Sequence, residues 1–469
     1  MLPPVTRCVS DNVGNTPMLA LEPQNNVEIF AKLEFYNPTG SGKDRLAKFL
    51  LQELERKNPF HQENKKTLII PTTGNLGISL ATLAAPKYRV ICILPERTTN
   101  DRIALLKALG VEILRSPNEA KPEAPESAYS VATKLAEQLA DAIVMDETKL
   151  YDPSAYHDLA DEILQQQTET DYVFVGVESG VTLTGIAQYL KKKSPNVKII
   201  GVEPTDSVFS GSGNTHSRGD WLVEDIGNTF IPKSLDTSLV DEWVKVSDKE
   251  AFSMARRLIR DKGLLCGPSS GAVMAAAMRH TPQNSKAVVI LDDSAKNYTS
   301  TLLSDDWMFE NDLADDLMTK ELEYLSQNRY RAASVEDLQL PAAVTIAPTA
   351  TAAHALDLML EREYSQLPVI KNDNKKLVGY ISLASLQERL ERGTCQFSDS
   401  IEQCMFSFKK NSGNMEKYHV ITPDTSLADL AKFFEKNSFA VVTDINRKWC
   451  LGVATKYDLI SFLHRRQFL

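Results

Sequence analysis

Between residues 28 and 300 the chain alternates short β-branched runs with longer segments of helical pattern. Apolar runs at 27–33, 67–70, 90–94, 172–175, 198–202 and 287–291 predict strands. The segments 46–56, 78–85, 102–109, 128–140 and 185–192 predict helices between them. Strands alternating with helices imply an α/β fold of parallel sheets with right-handed crossovers. Ligands in such sheets sit at the carboxyl ends of strands, where loops run into helix N-termini. The informative loops are therefore 37–44, 71–77, 177–185 and 267–271.

The pattern changes after Trp307. Residues 309–340 are polar and acid-rich and read as a linker. A weak internal repeat follows. One copy runs through 343–345, a helix at 353–362, then 366–370, 377–382 and a helix from Ala384. The other runs through 420–422, a helix at 426–436, then 440–444, 451–454 and a helix from Tyr457. Each reads strand–helix–strand–strand–helix, and two such units face to face bury what neither buries alone. The expected domains are 1–308, a linker at 309–340, and repeats at 341–396 and 397–469.

A chain of 469 residues exceeds one ordinary core, in keeping with that division. The net charge of −10, without a long basic block, argues against a nucleic-acid or anionic-membrane surface. No apolar run is long enough to span a bilayer, and the N-terminus lacks the pattern of a secretory signal. The six cysteines are scattered without a C-x-x-C pair, so neither a metal site nor a disulfide framework is expected. A reducing, cytoplasmic setting fits these features.

Four loops carry candidate chemistry. The turn-rich stretch from Asn37 through Gly40 and Gly42 delivers Lys43 to a helix start, as a Schiff-base lysine beside a flat cofactor requires. In Thr72-Thr73-Gly74-Asn75, hydroxyl, amide and backbone donors meet at a helix N-terminus and suit a carboxylate. Ser179, Gly180, Val181 and Thr182 open another helix and could cradle a phosphate. Ser269, after Gly267-Pro268, could hydrogen-bond a ring nitrogen. Each loop taken singly suits an ordinary capped helix start equally well. Their order and spacing are what matter.

The stretches Gly14-Asn15-Thr16-Pro17 and Lys32-Leu33-Glu34-Phe35-Tyr36-Asn37-Pro38, running into Lys43-Asp44-Arg45, resemble fold-type II pyridoxal-phosphate enzymes. Within these the chain is most similar to the cystathionine β-synthase family. The similarity continues through Pro95-Glu96-Arg97, Ile200-Gly201-Val202-Glu203-Pro204, Gly263-Leu264-Leu265-Cys266-Gly267 and Asn297-Tyr298. The C-terminal repeats resemble a tandem CBS-domain (Bateman) module, which serine and cysteine synthases of the same plan lack.

The resemblance implies a two-subdomain catalytic fold with parallel sheets, followed by that module, and pyridoxal 5'-phosphate as cofactor. By it Lys43 is the Schiff-base and catalytic lysine, and Asn75 contacts the cofactor's ring hydroxyl. Ser179, Gly180, Val181 and Thr182 hold the phosphate and Ser269 the pyridine nitrogen. A serine at that nitrogen keeps the ring unprotonated and favours β-elimination over transamination. Thr72, Thr73 and Gly74 hold the amino-acid carboxylate; the active-site tyrosine is Tyr156, with His157 the alternative. Serine would lose its β-hydroxyl and homocysteine add in its place, with Lys43 moving the Cα proton. The haem-binding extension of the animal enzymes has no counterpart ahead of Cys8, which predicts no haem. Thr455 and Asp458 are expected to bind an adenosyl ligand, S-adenosylmethionine first and an adenine nucleotide second. The family's habit is a homodimer or larger homo-oligomer.

Several positions depart from the family pattern. Its phosphate loop usually reads Gly-Thr-Gly-Gly-Thr, where this chain has Glu178-Ser179-Gly180-Val181-Thr182. A carboxylate ~4 Å from a phosphate charge costs on the order of 4 kcal/mol at an effective dielectric near 20. Glu178 must therefore point away, find a cation, or weaken cofactor binding. Leu76 removes a hydroxyl from the substrate turn, and Asn228 stands where a pocket tyrosine is usual. Ser365 replaces the usual acidic residue before Gln366-Leu367-Pro368. These changes keep two alternatives in view: an O-acetylserine or O-phosphoserine sulfhydrylase, and a catalytically degenerate adenosyl-ligand sensor.

Overall fold

The elements the apolar runs encode are present almost residue for residue in the computed structural model. It describes residues 5–23, 26–57, 66–85, 87–118, 120, 122–139, 141–211, 221–320, 333–362, 364–373, 375–408, 421–446 and 448–467. The chain divides into two units, Met1–Ser304 and Asp305–Leu469.

The first unit begins with β1 (Met18–Ala20), β2 (Glu28–Leu33), α1 (Lys43–Lys57), β3 (Thr67–Pro71), α2 (Asn75–Ala84) and β4 (Arg89–Pro95). Next come α3 (Asn100–Ala108), β5 (Glu112–Ser116), α4 (Ala128–Gln138), β6 (Ala142–Val144), α5 (His157–Gln166) and β7 (Tyr172–Gly176). It ends with α6 (Val181–Lys193), β8 (Lys198–Pro204), β9 (Glu242–Val246), α7 (Asp248–Lys262), α8 (Pro268–His280) and β10 (Lys286–Leu291). These strands form two sheets. One has the order β1-β2-β10-β7-β8-β9, in which the β1–β2 pair is antiparallel and the rest are parallel. The other, β5-β4-β3-β6, is parallel throughout.

Burial on both faces explains the unbroken apolar runs. All five residues of β3 are buried, as are Val90 to Leu94 of β4 and Ala287 to Leu291 of β10. The strands that the apolar pattern does not announce, β1, β5, β6 and β9, lack that double burial. Three residues of β5 are exposed, and no residue of β1 or β6 is fully buried. The core joins α1 and α2 to β3, β4, α5, β7 and α6 through residues such as Leu46, Ile70, Leu106, Ile163, Val175 and Ile186. The starts of α1, α2 and α6 follow the carboxyl ends of β2, β3 and β7, as ligand sites in parallel sheets require.

The second unit contains α9 (Asp305–Glu310), α10 (Ala352–Arg362), β11 (Gln366–Ile370), β12 (Leu377–Ser382), α11 (Leu383–Glu391), α12 (Ile401–Cys404) and β13 (Phe406–Ser407). Then follow α13 (Leu427–Phe434), β14 (Phe439–Thr443), β15 (Cys450–Thr455) and α14 (Lys456–Gln467). The repeat is plain: helix, antiparallel strand pair and helix recur, with a bulge at Val369/Ile370 and again at Val442/Thr443. The opening strand expected at 343–345 is instead a single parallel bridge, Ile346 to Val369, matched by Ile421 to Val442. Val420 and residues 321–332 of the expected linker lie outside the described residues. Residues 333–335 belong to the packing of the second repeat, since the Val335 N–H donates to the Thr425 carbonyl at 2.9 Å.

One cysteine expectation is overturned. Cys395 and Cys404, whose Cα atoms are 6.2 Å apart, form a disulfide in the first repeat. Nine residues of separation give no pair signature along the sequence; the hairpin from α11 to α12 brings the two together.

Candidate functional site

Lys43 is the first residue of α1, and its ammonium is buried in a pocket of the first unit. Ser179, Gly180, Thr182 and Ser269 line the same pocket, with Glu178, Asp225 and Asp292. Three of the four loops singled out from the sequence, 37–44, 177–185 and 267–271, thus converge on one cavity. An adjoining cleft, sharing Glu178 and Ser179, is lined by Thr72, Thr73, Arg97, Tyr129, Glu147 and Asn228.

At the start of α6, Gly180 adopts φ 81° as the helix cap, a left-handed conformation in which a side chain is strained. An added Cβ would also strike Leu235. This tight turn lets the first N–H groups of α6 and the Ser179 hydroxyl point outward, an arrangement suited to an anion. Val181, the first residue of α6, is fully buried and offers only its backbone.

The anion that the Ser179 hydroxyl meets here is a side chain. Glu147, just after β6, accepts from Ser179 Oγ at 2.8 Å and from Lys43 Nζ at 2.6 Å through one oxygen, Oε2. Glu178 Oε2 lies 3.8 Å from the same ammonium and is buried without a hydrogen-bond partner. So Glu178 has found a cation, and the cation is Lys43. Burial disfavours the charge on Lys43, but Glu147 and Glu178 more than offset it and hold the ammonium well above the ordinary lysine range. Burial pushes the Glu178 carboxyl up to about 7, against the pull of Lys43.

The substrate turn is similarly engaged. Thr73 Oγ1 donates to Asp225 Oδ1 at 3.2 Å, and Asn75 Nδ2 donates to Asp225 Oδ2 at 2.8 Å. Asn75 also accepts from Asn297 at 3.0 Å, while Thr72 Oγ1 receives the Gly74 N–H at 3.1 Å and shapes the turn. Asp225 is in turn paired with Arg102, whose fully buried guanidinium also meets Glu224 at 3.0 Å and Asp293 at 2.9 Å. Tyr298 accepts from Arg102 and donates to Asp293 at 2.9 Å. Burial raises Glu224 to about 7 and Asp293 to about 6, despite the guanidinium.

Ser269, in the first turn of α8, reaches Asp293 Oδ1 at 3.4 Å. Tyr156 is buried against α6, within electrostatic reach of Lys43, whereas the ring of its neighbour His157 packs on Tyr189 at 5.4 Å. Leu76 is a core residue of α2, and Asn228 lines the adjoining cleft.

Glu147, Arg102, Asp292 and Asp293 were not among the residues singled out from the sequence. The signal lay in the strand-end rule itself. The loops after β6 and β10 are also carboxyl ends of strands, and each opens on acidic residues, Asp146-Glu147 and Asp292-Asp293.

The residues fit pyridoxal phosphate: a buried amine opposite a helix N-terminus with a left-handed glycine, and a serine hydroxyl in the same pocket. Lys43 would hold the aldehyde carbon, Ser269 the ring nitrogen, and Ser179, Gly180 and Thr182 the phosphate.

In the second unit, the Thr455 N–H and Oγ1 both donate to Asp458 Oδ2, at 2.7 and 3.0 Å, so the pair caps α14. Ser365 Oγ donates to Glu310 Oε1 of α9 at 2.8 Å, so the acid missing at position 365 is supplied from another element. Burial and the neighbouring Glu310 and Asp458 raise Asp306 of α9 to about 7. No described helix is long and apolar enough to cross a membrane.

Comparison with known proteins bears on both units. Residues 9–293 match the family described as pyridoxal-phosphate dependent enzyme, and residues 314–392 and 415–465 match the CBS domain. The chain is 38% identical over 471 residues to a cystathionine beta-synthase of Dictyostelium discoideum, covering 98% of this chain and 92% of that one. It is 34% identical to a cystathionine beta-synthase of Saccharomyces cerevisiae, covering 97% of each. Among solved structures, the O-acetylserine dependent cystathionine beta-synthase from Helicobacter pylori superposes with a TM-score of 0.58 at 32% identity. That match covers 64% of this chain and 99% of the other.

Proposed function

The chain belongs to the cystathionine β-synthase family of pyridoxal-phosphate dependent enzymes, and from that membership we propose that it condenses L-serine with L-homocysteine to L-cystathionine. The observation that carries the proposal is the convergence of Lys43, Ser179, Gly180, Thr182 and Ser269 on one pocket. Pyridoxal phosphate supplies the electron sink that makes the Cα proton of a bound amino acid labile and its β-substituent a leaving group. The chain's own part is positional. The turn 72–75 orients the amino-acid carboxylate, and Ser269 sets the electronic state of the ring. Lys43, released when substrate binds, takes the Cα proton and later returns it. Burial of the pocket keeps water from competing with the incoming thiolate. Tyr156 borders this site.

The module at the C-terminus is assigned an adenosyl ligand, S-adenosylmethionine before an adenine nucleotide, with Thr455 at the phosphate or sulfonium side and Asp458 at the ribose. The protein is placed in the cytoplasm as a homodimer or larger homo-oligomer. Its domains are drawn at 1–308, 309–340, 341–396 and 397–469.

Product analysis separates the donors and thiols. Incubation with serine and homocysteine is expected to yield cystathionine. Cysteine formed from O-acetylserine or O-phosphoserine and sulfide, with no cystathionine from serine, would replace this reading by the sulfhydrylase.

A further inference from the structure

The two groups that a phosphate-bearing cofactor needs, an amine at one end and a hydroxyl at the other, are bridged by a single protein carboxylate. Glu147 Oε2 lies 2.6 Å from Lys43 Nζ and 2.8 Å from Ser179 Oγ. Beside it stands a second carboxylate, Glu178, with an oxygen that is buried, unpartnered and 3.8 Å from the same ammonium. Glu178 faces charged or titratable groups from every side of the pocket. These are Lys43 at the start of α1, Glu147 after β6, Tyr129 on α4, Asp225 before Ile226, and Asp292 after β10. Lys43 thus answers both Glu147 and Glu178, with Asp292 and the Arg102-paired Asp225 close by, where a phosphate, itself close to doubly charged at neutral pH, has to enter.

We propose that Glu147 and Glu178 form a carboxylate latch on the cofactor site: pyridoxal phosphate loads by displacing Glu147 from Lys43 and Ser179, and Glu178 takes up the proton that the Lys43 ammonium gives up as its amine condenses with the aldehyde and water leaves. This rests on the reading of Lys43 as the imine-forming lysine. Glu147 occupies the place of the phosphate and the imine at once, so it leaves both or neither. Once Lys43 is committed to the cofactor, Glu178 keeps only the hydrogen bond from Thr73 to share its charge and its Oε2 has no partner, so a neutral carboxyl is the form compatible with a phosphate in the cradle. Buried as it is, that carboxyl already titrates near neutrality, at about 7, so it takes the proton under ordinary conditions.

The test is a titration of the full-length apoprotein with pyridoxal phosphate between pH 6 and 9, read by the visible absorbance of the lysine imine. Wild type is compared with Glu178→Gln, Glu178→Gly and Glu147→Gln. The cofactor phosphate titrates alike in wild type and Glu178→Gln, and Lys43, raised by Glu147 as well as by Glu178, stays protonated in both apoproteins between pH 6 and 9, so their ratio isolates Glu178. The ratio is expected to be near one at pH 6 and to favour Glu178→Gln by about tenfold at pH 8, rising about tenfold per further pH unit. Glu178→Gln keeps the side chain's shape, which guards against a folding defect in Glu178→Gly. Glu147→Gln is expected to bind more tightly than wild type while keeping the pH slope. Wild-type affinity equal to that of Glu178→Gln at every pH overturns the proposal. If no protein acquires the imine band at any pH, the assignment of Lys43 fails, and the latch with it.

Discussion

Arg102 shows how much of this site is settled by one side chain. Its guanidinium is fully buried and serves Glu224, Asp225 and Asp293 together. Removing one partner of a buried ionic group typically costs ~3–5 kcal/mol, because the remaining charges are left without compensation. Arg102→Met should therefore lose about that much stability at pH 8 in urea denaturation. The loss should shrink toward pH 5. A carboxyl raised by folding binds more protons in the native than in the unfolded state, so the native state gains stability as pH falls through the raised value. Glu224 at about 7 and Asp293 at about 6 place that window between roughly pH 8 and 5 in wild type, and loss of the guanidinium moves it upward. A deficit that is the same at pH 5 and pH 8 would mean that Arg102 acts by packing alone. None of this was visible along the sequence. Arg102, Asp225 and Asp293 are separated by 123 and 191 residues from their bonding partners in the set, and only the fold brings them together.

At the scale of elements, legibility followed burial. The strands β3, β4, β7, β8 and β10 could be read because their central positions are buried on both faces, with charged residues such as Arg89, Lys198 and Lys286 falling at their first positions. β5 and β6 could not, because one is largely exposed and the other is three residues long. The candidate loops were legible for a different reason: several glycine- and hydroxyl-rich turns between strands and helices recur in a fixed order along the chain. The acidic loops after β6 and β10 carry no such composition, and nothing along the sequence marks them out. Helix packing yields a sharper test. Gly271 of α8 lies directly on α7, where an added Cβ would stand 2.6 Å from the Ala255 N–H nitrogen and against the Ala251 carbonyl. Neither atom can yield without moving the α7 backbone. Gly271→Ala should therefore cost about 3 kcal/mol, at the upper end of overpacking, although alanine is the better helix former. Thermal or urea unfolding checks this, and a variant as stable as wild type would show that the helices separate freely.

For the whole molecule, the chain divides into two units, one matching the pyridoxal-phosphate dependent enzymes and the other the CBS domain. The repeat of helix, bulged strand pair and helix in the second unit was legible because both copies retain it. The disulfide between Cys395 and Cys404 was not, because pairing depends on where the turn from α11 to α12 returns the chain. Thr455 and Asp458 cap α14 through three atoms, both Thr455 donors meeting one oxygen of Asp458. In the complete protein, S-adenosylmethionine or an adenine nucleotide should raise the unfolding temperature of the second unit, and Asp458→Asn should reduce that shift at least tenfold in ligand affinity, in line with loss of a charged hydrogen bond. An unchanged shift in the variant would place the ligand elsewhere.

The most direct measurement is cystathionine formation by the full-length protein loaded with pyridoxal phosphate, given serine and homocysteine and followed by mass spectrometry, beside Lys43→Ala treated identically. Product that requires both the cofactor and Lys43 is the predicted result. No cystathionine from the loaded wild-type protein, or equal amounts from Lys43→Ala, would contradict it.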